Sequence, residues 1–242
     1  MIKFNGRPYG IGNKLEEIFI LEAYCIRNRT NAQYFWNNKD PKFSYPVMID
    51  CDHILIQEHL ELSGNPDIPG FYNPGFITRD EMKLAVKHVH FKINFPKICD
   101  LPYVGIHIRR GDRIPINWGG ISVEDYMTDE LAESLFLKTI DLVNKESPSN
   151  LFVCSDDMEY KNRFISSLNK SINVIQIEHT DPALVVYQDF LALAGSTHIY
   201  MCSKYSSFSA TASLINDIPL YTFFKPEESS LARNNVKFVL LT

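Results

Sequence analysis

Short apolar segments alternate with amphipathic ones along most of the chain. Apolar residues occupy every second position from Val104 to Ile108, and Leu151–Cys154 and Ile199–Cys202 are continuous apolar runs. The first pattern is typical of a strand, and the continuous runs are typical of strands buried on both faces of a parallel sheet. Segments with helical periodicity follow, which predicts an α/β protein with parallel sheets. Helices are predicted at 10–30, 122–146, 158–168 and 182–194, and further strands at 32–36, 174–177, 221–224 and 236–240.

The stretch from 37 to 100 carries a weaker pattern, because prolines at 41, 46, 66, 69 and 74 interrupt it. Only 46–50 as a strand and 81–90 as a helix are predicted there. On a helix, the spacing of His88 and His90 points the two rings apart, which indicates a solvated face. The chain is therefore expected to divide near residue 100 into domains 1–100 and 101–242.

Composition excludes several classes of protein. With 242 residues, 45% hydrophobic side chains and a net charge of −5, the chain can bury a large core but lacks the basic surface that nucleic acids require. No apolar stretch reaches the length of about 18 residues that a membrane span needs. Five dispersed cysteines without a Cys-x-x-Cys pair favour free thiols in a reducing, cytoplasmic compartment and predict no zinc site.

The strand from Val104 ends in a cluster of polar groups. His107, Arg109 and Arg110 precede a Gly111-Asp112 turn, at the kind of strand end where open α/β sheets bind ligands. Two guanidiniums at such a place favour a phosphate or diphosphate, which each can hold bidentately. The alternative is that the arginines pair with local carboxylates, Asp112 among them.

Three other segments carry candidate chemistry, each with an ordinary structural alternative. Ser155-Asp156-Asp157 follows a strand, where the carboxylates either receive sugar hydroxyls or cap the next helix. Ser206-Ser207-Phe208-Ser209 opens a helix, where it either grips a phosphate or supplies an N-cap. Gly10-Ile11-Gly12-Asn13 also opens a helix, either as a ligand-binding loop or as a strand-to-helix turn.

These four segments together resemble a known enzyme family. His107-Ile108-Arg109-Arg110-Gly111-Asp112 resembles the His-x-Arg-Arg-x-Asp signature of GDP-fucose-dependent glycosyltransferases, most closely that of the α-1,2-fucosyltransferases of glycosyltransferase family 11. The glycine segment with Lys14-Leu15, the Ser-Asp-Asp segment and the stretch from Asp189 to Ser209 resemble further family motifs in the same order. Two residues are inserted before the serines, and Ala210-Thr211 replaces a frequent Trp-Trp pair.

The resemblance implies a GT-B fold with two Rossmann-type lobes. A reduced N-terminal lobe at 1–100 would bind the acceptor, and 101–242 would bind the nucleotide sugar. The implied reaction is the transfer of fucose from GDP-fucose to a hydroxyl of a glycan acceptor, with inversion and without a metal or other cofactor. Alternatives are another nucleotide sugar as donor, a metal-dependent transferase that uses Asp50 and Asp52, and a non-catalytic nucleotide-sugar-binding module.

The resemblance also assigns roles to residues. Arg109 would stabilise the departing diphosphate with help from Arg110, His107 would orient the donor, and Asp189 would accept hydrogen bonds from guanine. Asp112 would hold an arginine, and the sequence does not indicate a general base. The predicted catalytic residues are Arg109, Arg110 and His107; the predicted substrate-binding residues are Gly10, Gly12, Asn13, Asp112, Asp156, Asp157, Asp189, Ser206, Ser207, Phe208 and Ser209.

Overall fold

A computed structural model describes residues 1–7, 10–39, 44–58, 68–73, 75–93, 100–110, 127–177, 181–224 and 236–242. Strands and helices alternate through most of these ranges, as predicted. Before residue 100 the elements are β1 (Ile2–Asn5), α1 (Ile11–Asn28), β2 (Ala32–Trp36), β3 (Ile49–Cys51), β4 (Ile54–Glu58), α2 (Arg79–Val86) and β5 (Val89–Phe91).

The elements after residue 100 form one α/β unit. A 3₁₀ helix (Pro182–Leu184) precedes α5, so that the predicted helix at 182–194 has two parts. The elements are β6 (Val104–Ile108), α3 (Asp129–Glu146), β7 (Asn150–Ser155), α4 (Met158–Ser166), β8 (Asn173–Ile175), α5 (Val185–Ala194), β9 (Ile199–Cys202), α6 (Ser207–Ile215), β10 (Pro219–Thr222) and β11 (Lys237–Leu240).

Two parallel sheets organise the described residues. The larger has six strands in the order β11-β10-β9-β6-β7-β8, so β6 lies at its centre between β9 and β7. The smaller contains β1, β2 and β4, and a separate antiparallel pair joins β3 to β5. Parallel pairing in both larger sheets, with helices between successive strands, confirms the predicted α/β class.

Successive side chains of each strand point to opposite faces of the large sheet, so the sheet has a hydrophobic cluster on each face. Ile106 and Val153 point to the face covered by α3 and α4, whereas Phe152 and Cys154 point to the face covered by α5 and α6. Helix α1 packs on α6 and also on the small sheet. The hydrophobic cluster on the α5–α6 side therefore continues into the N-terminal elements, and it brings the start of α1 next to the large sheet.

Three predictions about elements need correction. The helix predicted at 81–90 ends at Val86, and His88 and His90 lie beside and in strand β5, so the prediction that they lie on a helix is wrong. The strand predicted at 46–50 is instead Ile49–Cys51. Helix α3 begins at Asp129 with Thr128 as its N-cap, whereas the expected start at Ser122 falls outside the described residues.

Candidate active site

The central strand and its two neighbours end at the same edge of the large sheet. Ile108, the last residue of β6, pairs with Ser155 of β7 on one side and with Cys202 of β9 on the other. The segments that follow these three strands are therefore neighbours in space. Such an edge is where open parallel sheets bind ligands, because the loops after the strands leave a crevice there. The sheet topology thus brings together the arginine, Ser-Asp-Asp and serine segments.

Arg109 is held at this edge by the first carboxylate after β7. Its Nε lies 3.3 Å from Oδ2 of Asp156, while Oδ1 of Asp156 accepts a hydrogen bond of 2.9 Å from the backbone N–H of Arg110. One carboxylate therefore fixes both the side chain of Arg109 and the chain just beyond it. The Arg109 side chain remains partly exposed at 23%, so a ligand in the crevice can reach it.

Arg110 points to the other face of the sheet. Its guanidinium carbon lies 3.4 Å from the centre of the Tyr160 ring, and its nitrogens lie 3.3 Å from Asp129 and 3.8 Å from Asp157. Adjacent residues of an extended chain project to opposite faces, which separates the two arginines. Both arginines therefore pair with local carboxylates, as the structural alternative expected, although with Asp156, Asp129 and Asp157. The buried Nη1 of Arg110 has no hydrogen-bond partner among the described residues.

His107 lies beneath Arg109 on the α5–α6 face. The ring is 3% exposed, its Nδ1 is 2.8 Å from the hydroxyl of Ser209, and its centre is 5.0 Å from that of the Phe208 ring. Burial, together with the nearby charge of Arg109, lowers the pKa of His107 to about 3. His107 is therefore neutral at physiological pH, and it connects β6 to the first turn of α6 without adding a positive charge.

The first turns of α1 and α6 meet beside His107. A Cβ atom on Gly12 would lie 2.5 Å from the backbone nitrogen of Phe208 and 2.6 Å from the carbonyl carbon of Ser207. The hydroxyl of Thr211 donates a hydrogen bond of 3.1 Å to the carbonyl of Gly12. Gly12 is thus required by the close approach of α6, and the contact places Asn13 near the predicted phosphate-binding turn.

For the polar residues at the starts of α4 and α6, the sequence left two explanations, an N-cap or a substrate contact. Asp157 does cap α4, because its Oδ1 accepts a hydrogen bond of 3.1 Å from the backbone N–H of Tyr160. Ser206 occupies the N-cap position of α6, but its side chain makes no capping hydrogen bond. The ordinary N-cap explanation therefore fits Asp157 and does not fit Ser206. Substrate contacts remain predictions for both residues.

Asp189 and Asp112 complete the predicted set. Asp189 lies on α5, and its charge adds to burial in raising the pKa of Cys154, the strand neighbour of His107. Because α5 covers the face of the sheet to which His107 points, Asp189 lies on that side of the sheet. Asp112 is outside the described residues, so its predicted contact with an arginine remains a prediction.

Sequence reasoning missed a buried carboxylate beneath the glycine loop. Glu17 of α1 accepts hydrogen bonds from the Tyr34 hydroxyl at 2.8 Å, the Tyr72 hydroxyl at 3.0 Å and the Arg7 backbone N–H at 3.1 Å. Its Oε1 also lies 3.2 Å from Nε of Arg7. Burial raises the pKa of Glu17, opposed by Arg7 and the tyrosine hydroxyls. These contacts fix Arg7 against α1, and no local pattern in the sequence indicates them.

The two aspartates of the metal-dependent alternative have other partners. Asp50 lies 3.0 Å from Nζ of Lys92, and Asp52 is hydrogen-bonded to His88 and His90 at 2.7 and 3.0 Å. Asp50 lies on strand β3 and Asp52 just after it, and both carboxylates are paired with basic side chains of the segment around β5. Diphosphate binding by the arginine segment stays a prediction.

Known proteins resemble this chain in structure but not detectably in sequence. No protein-family model matches it, and no curated protein matches it either. A solved structure of NodZ α-1,6-fucosyltransferase soaked with GDP-fucose has a TM-score of 0.54 and 13% identity, covering 88% of this chain and 92% of that one. POFUT1 in complex with GDP has a TM-score of 0.56 and 12% identity, covering 90% and 94%. The fucosyltransferase NodZ from Bradyrhizobium gives 0.54 and 12%, covering 88% and 93%.

These similarities concern the fold. They extend over most of this chain and most of each compared chain. The chain therefore has the GT-B-like α/β fold that the sequence predicted, with a small N-terminal sheet of three parallel strands. No helix within the described ranges is both long enough and apolar enough to cross a membrane.

Proposed function

We propose that the protein is a GDP-fucose-dependent glycosyltransferase that transfers fucose to a hydroxyl of a glycan acceptor. The observation that carries this proposal is the placement of Arg109, which Asp156 holds just after the end of the central strand and whose side chain is partly exposed. The fold supports it, because the similar solved structures include fucosyltransferases determined with GDP-fucose or GDP. As a member of the α-1,2 group, which the four motifs favour, it would act with inversion.

The proposed chemistry is a single displacement at the anomeric carbon. The acceptor hydroxyl oxygen forms a bond to C1 of fucose as the bond from C1 to the β-phosphate oxygen breaks, and GDP leaves with that electron pair. The hydroxyl proton passes to a general base. Negative charge grows on the leaving diphosphate, and a preorganised guanidinium that interacts more strongly with this charge lowers the barrier.

Other residues receive supporting roles in this proposal. The backbone N–H groups at the start of α6, with Ser206, Ser207 and Ser209, would receive phosphate oxygens, as helix N-termini do. Arg110, which contacts Tyr160 and Asp129, would fix the end of β6, while Asp189 would accept hydrogen bonds from the guanine N–H groups. Such a site would neutralise the diphosphate without a metal ion. A reducing, cytoplasmic location is part of this proposal and rests on the dispersed cysteines of the sequence.

The decisive experiment compares donors and products. GDP should raise the melting temperature more than UDP, CMP or ADP, because a ligand that binds only the folded state stabilises it more when its affinity is higher, at equal concentration. Purified protein should also hydrolyse GDP-fucose slowly without an acceptor and faster with an accepted glycan. Equal shifts from UDP and GDP would contradict the guanine assignment. A shift with GDP but no turnover of GDP-fucose on a broad acceptor panel would indicate a non-catalytic binding module.

A further inference from the structure

Three side chains that commonly bind metals converge in the N-terminal part of the chain. They are Glu22 of α1, His53 in the turn between β3 and β4, and His88 just before β5, and their candidate ligand atoms all lie within 4.8 Å of one another. The ring centres of His53 and His88 are 5.7 Å apart. A backbone hydrogen bond of 3.1 Å from Asp52 to His88 extends the β3–β5 pairing and holds the two histidines side by side.

Glu22 is buried, and hydrogen bonds within the described residues satisfy only one of its two carboxylate oxygens. The residue is 0% exposed, its Oε1 lies 2.6 Å from Nδ1 of His53, and its Oε2 has no hydrogen-bond partner among the described residues. A buried carboxylate oxygen without a partner carries a desolvation cost. Protonation of Oε2 would leave a buried hydroxyl with no acceptor in the same set. A cation next to Oε2 would satisfy the group.

His88 is oriented as a metal ligand would be. Its Nδ1 lies 2.7 Å from Oδ2 of Asp52, so an N–H at that position donates to the carboxylate and leaves the lone pair on Nε2. Metal-binding histidines usually donate their second N–H to a carboxylate or a carbonyl in this way, which fixes the ring and raises its basicity. Asp52 therefore has the arrangement of a residue that supports a ligand.

We propose that Glu22, His53 and His88 bind a divalent transition-metal ion of the zinc type. A tetrahedral zinc ion with bonds of about 2.0–2.1 Å separates its ligand atoms by roughly 3.3 Å. The three candidate ligand atoms already lie within 4.8 Å of one another, so small side-chain rotations would bring them to that spacing. Two imidazoles with one carboxylate suit zinc, cobalt or nickel, whereas magnesium and calcium favour oxygen ligands. The histidine side chains are 34% and 32% exposed, which leaves a fourth position for water.

The site is separate from the proposed donor site and does not depend on the proposed function. Glu22 lies ten residues after Gly12 on the same helix, a separation of about 15 Å along the helix axis. The ion would join α1 to the turn before β4 and to the start of β5. Because metal binds only when these segments come together, it adds to the stability of the folded state.

Direct binding measurements test the site on the full chain without a polyhistidine tag. After treatment with a chelator and its removal, the protein should bind one equivalent of Zn²⁺ in calorimetry, and Zn²⁺ but not Mg²⁺ should raise the melting temperature. Co²⁺ should give the intense visible absorption of a tetrahedral site, and Zn²⁺ should abolish it. Failure of the wild-type protein to bind Zn²⁺, or a weak octahedral cobalt spectrum, would overturn the proposal.

Matched variants locate the ion. Glu22→Gln and His88→Ala should each weaken Zn²⁺ binding by more than about 100-fold, since even loss of a supporting residue typically costs 10–100-fold. His90→Ala is the control, because His90 also contacts Asp52 but lies outside the group of three. Unchanged affinity in a folded Glu22→Gln or His88→Ala protein would refute the assignment. If both variants fail to fold, the wild-type cobalt spectrum remains decisive. Turnover of GDP-fucose with the chelator present tests the donor site independently.

Discussion

Nε of Arg109 lies 3.3 Å from Oδ2 of Asp156, and this pair joins the ends of two adjacent parallel strands. We predict that Arg109→Lys, which keeps the charge but loses the planar fork, lowers the rate of GDP-fucose hydrolysis by roughly 100-fold, or about 2.7 kcal/mol. The melting temperature should change little, because the guanidinium is partly exposed. Steady-state hydrolysis and thermal unfolding of the same preparation measure both quantities.

Arg163→Lys is the matched control for this prediction. Arg163 also pairs with a carboxylate, Glu133, but it lies on the surface of α4. Its substitution should leave hydrolysis unchanged. If hydrolysis by a stably folded Arg109→Lys protein is close to that of the wild type, Arg109 does not act on the diphosphate.

Asp189→Ala should remove the preference for guanine. The carboxylate is the predicted acceptor for the guanine N–H groups, so the melting-temperature shift with GDP should fall toward the shift with UDP. Asp141→Ala, an exposed carboxylate on α3, serves as the control and should retain the preference. A folded Asp189→Ala protein that still prefers GDP by the wild-type margin would move the guanine site elsewhere.

Gly12→Ala should destabilise the contact between α1 and α6. The added Cβ would meet backbone atoms of Ser207 and Phe208 at 2.5–2.7 Å, and backbone cannot move aside as a flexible side chain can. We expect a loss of about 1–3 kcal/mol in the free energy of unfolding, the usual cost of overpacking. Urea denaturation measures this loss.

Asn13→Ala, on the same turn of α1, should instead lower turnover while stability stays near that of the wild type. A stable Gly12→Ala protein together with a destabilised, fully active Asn13→Ala protein would contradict the assignment of Gly12 to packing and of Asn13 to the donor site.

Ser209→Ala should cost more stability than Ser213→Ala. The hydroxyl of Ser209 is the described partner of the buried Nδ1 of His107, so its loss leaves a buried ring nitrogen without a hydrogen bond, at about 1–3 kcal/mol. Ser213 is also buried on the same helix, but its hydroxyl donates to the backbone carbonyl of Ala210. That carbonyl also accepts a backbone hydrogen bond within the helix, so the loss of the hydroxyl leaves it with a partner. Chemical denaturation of both variants makes the comparison, and equal losses would count against the importance of the His107 contact.

Acid should weaken the link between α2 and the C-terminal strands. Burial tends to raise the pKa of Asp217, but hydrogen bonds from Lys237, Lys83 and Arg79 outweigh it and hold the pKa well below its ordinary value of 3.8. The stabilisation is therefore complete above pH 3.8 and is lost as the pH falls from there toward the lowered pKa.

The comparison of wild type with Asp217→Asn measures this contribution. The difference in free energy of unfolding should be constant between pH 5 and pH 7 and should shrink below about pH 3.8. Asp141→Asn should show no such pH dependence, because Asp141 is exposed on α3. A difference between wild type and Asp217→Asn that grows toward low pH would contradict the sign of the shift.

Periodicity alone predicted much of the C-terminal fold. The apolar runs at Leu151–Cys154 and Ile199–Cys202 became β7 and β9, and the alternation from Val104 to Ile108 became the central strand. The apolar pattern of each of these segments indicates a buried strand, so the segments can be recognised from their own residues without knowledge of their neighbours in the fold. The parallel arrangement follows from the helices between them, and it brings the three polar segments to one edge.

The N-terminal part was harder to predict, because its elements are short and depend on distant contacts. Strand β5 has three residues, and its pairing with β3 rather than its own composition makes it a strand. The sequence suggested a helix across His88 and His90, and therefore rings that point apart. On an extended chain both rings reach Asp52 instead, so the convergence with Glu22 became visible only in the structure.

The sequence by itself determined the α/β class and the strand ends that carry polar groups, and it suggested the residues that are predicted to bind a diphosphate. Only the tertiary structure decided which of these residues face the crevice. Arg109 and Arg110 are equivalent as sequence letters, yet they lie on opposite faces of the sheet because the extended chain alternates direction at each residue. The tight contact of Gly12 with Phe208 likewise joins residues almost two hundred positions apart, and a local pattern contains no information about contacts at that distance.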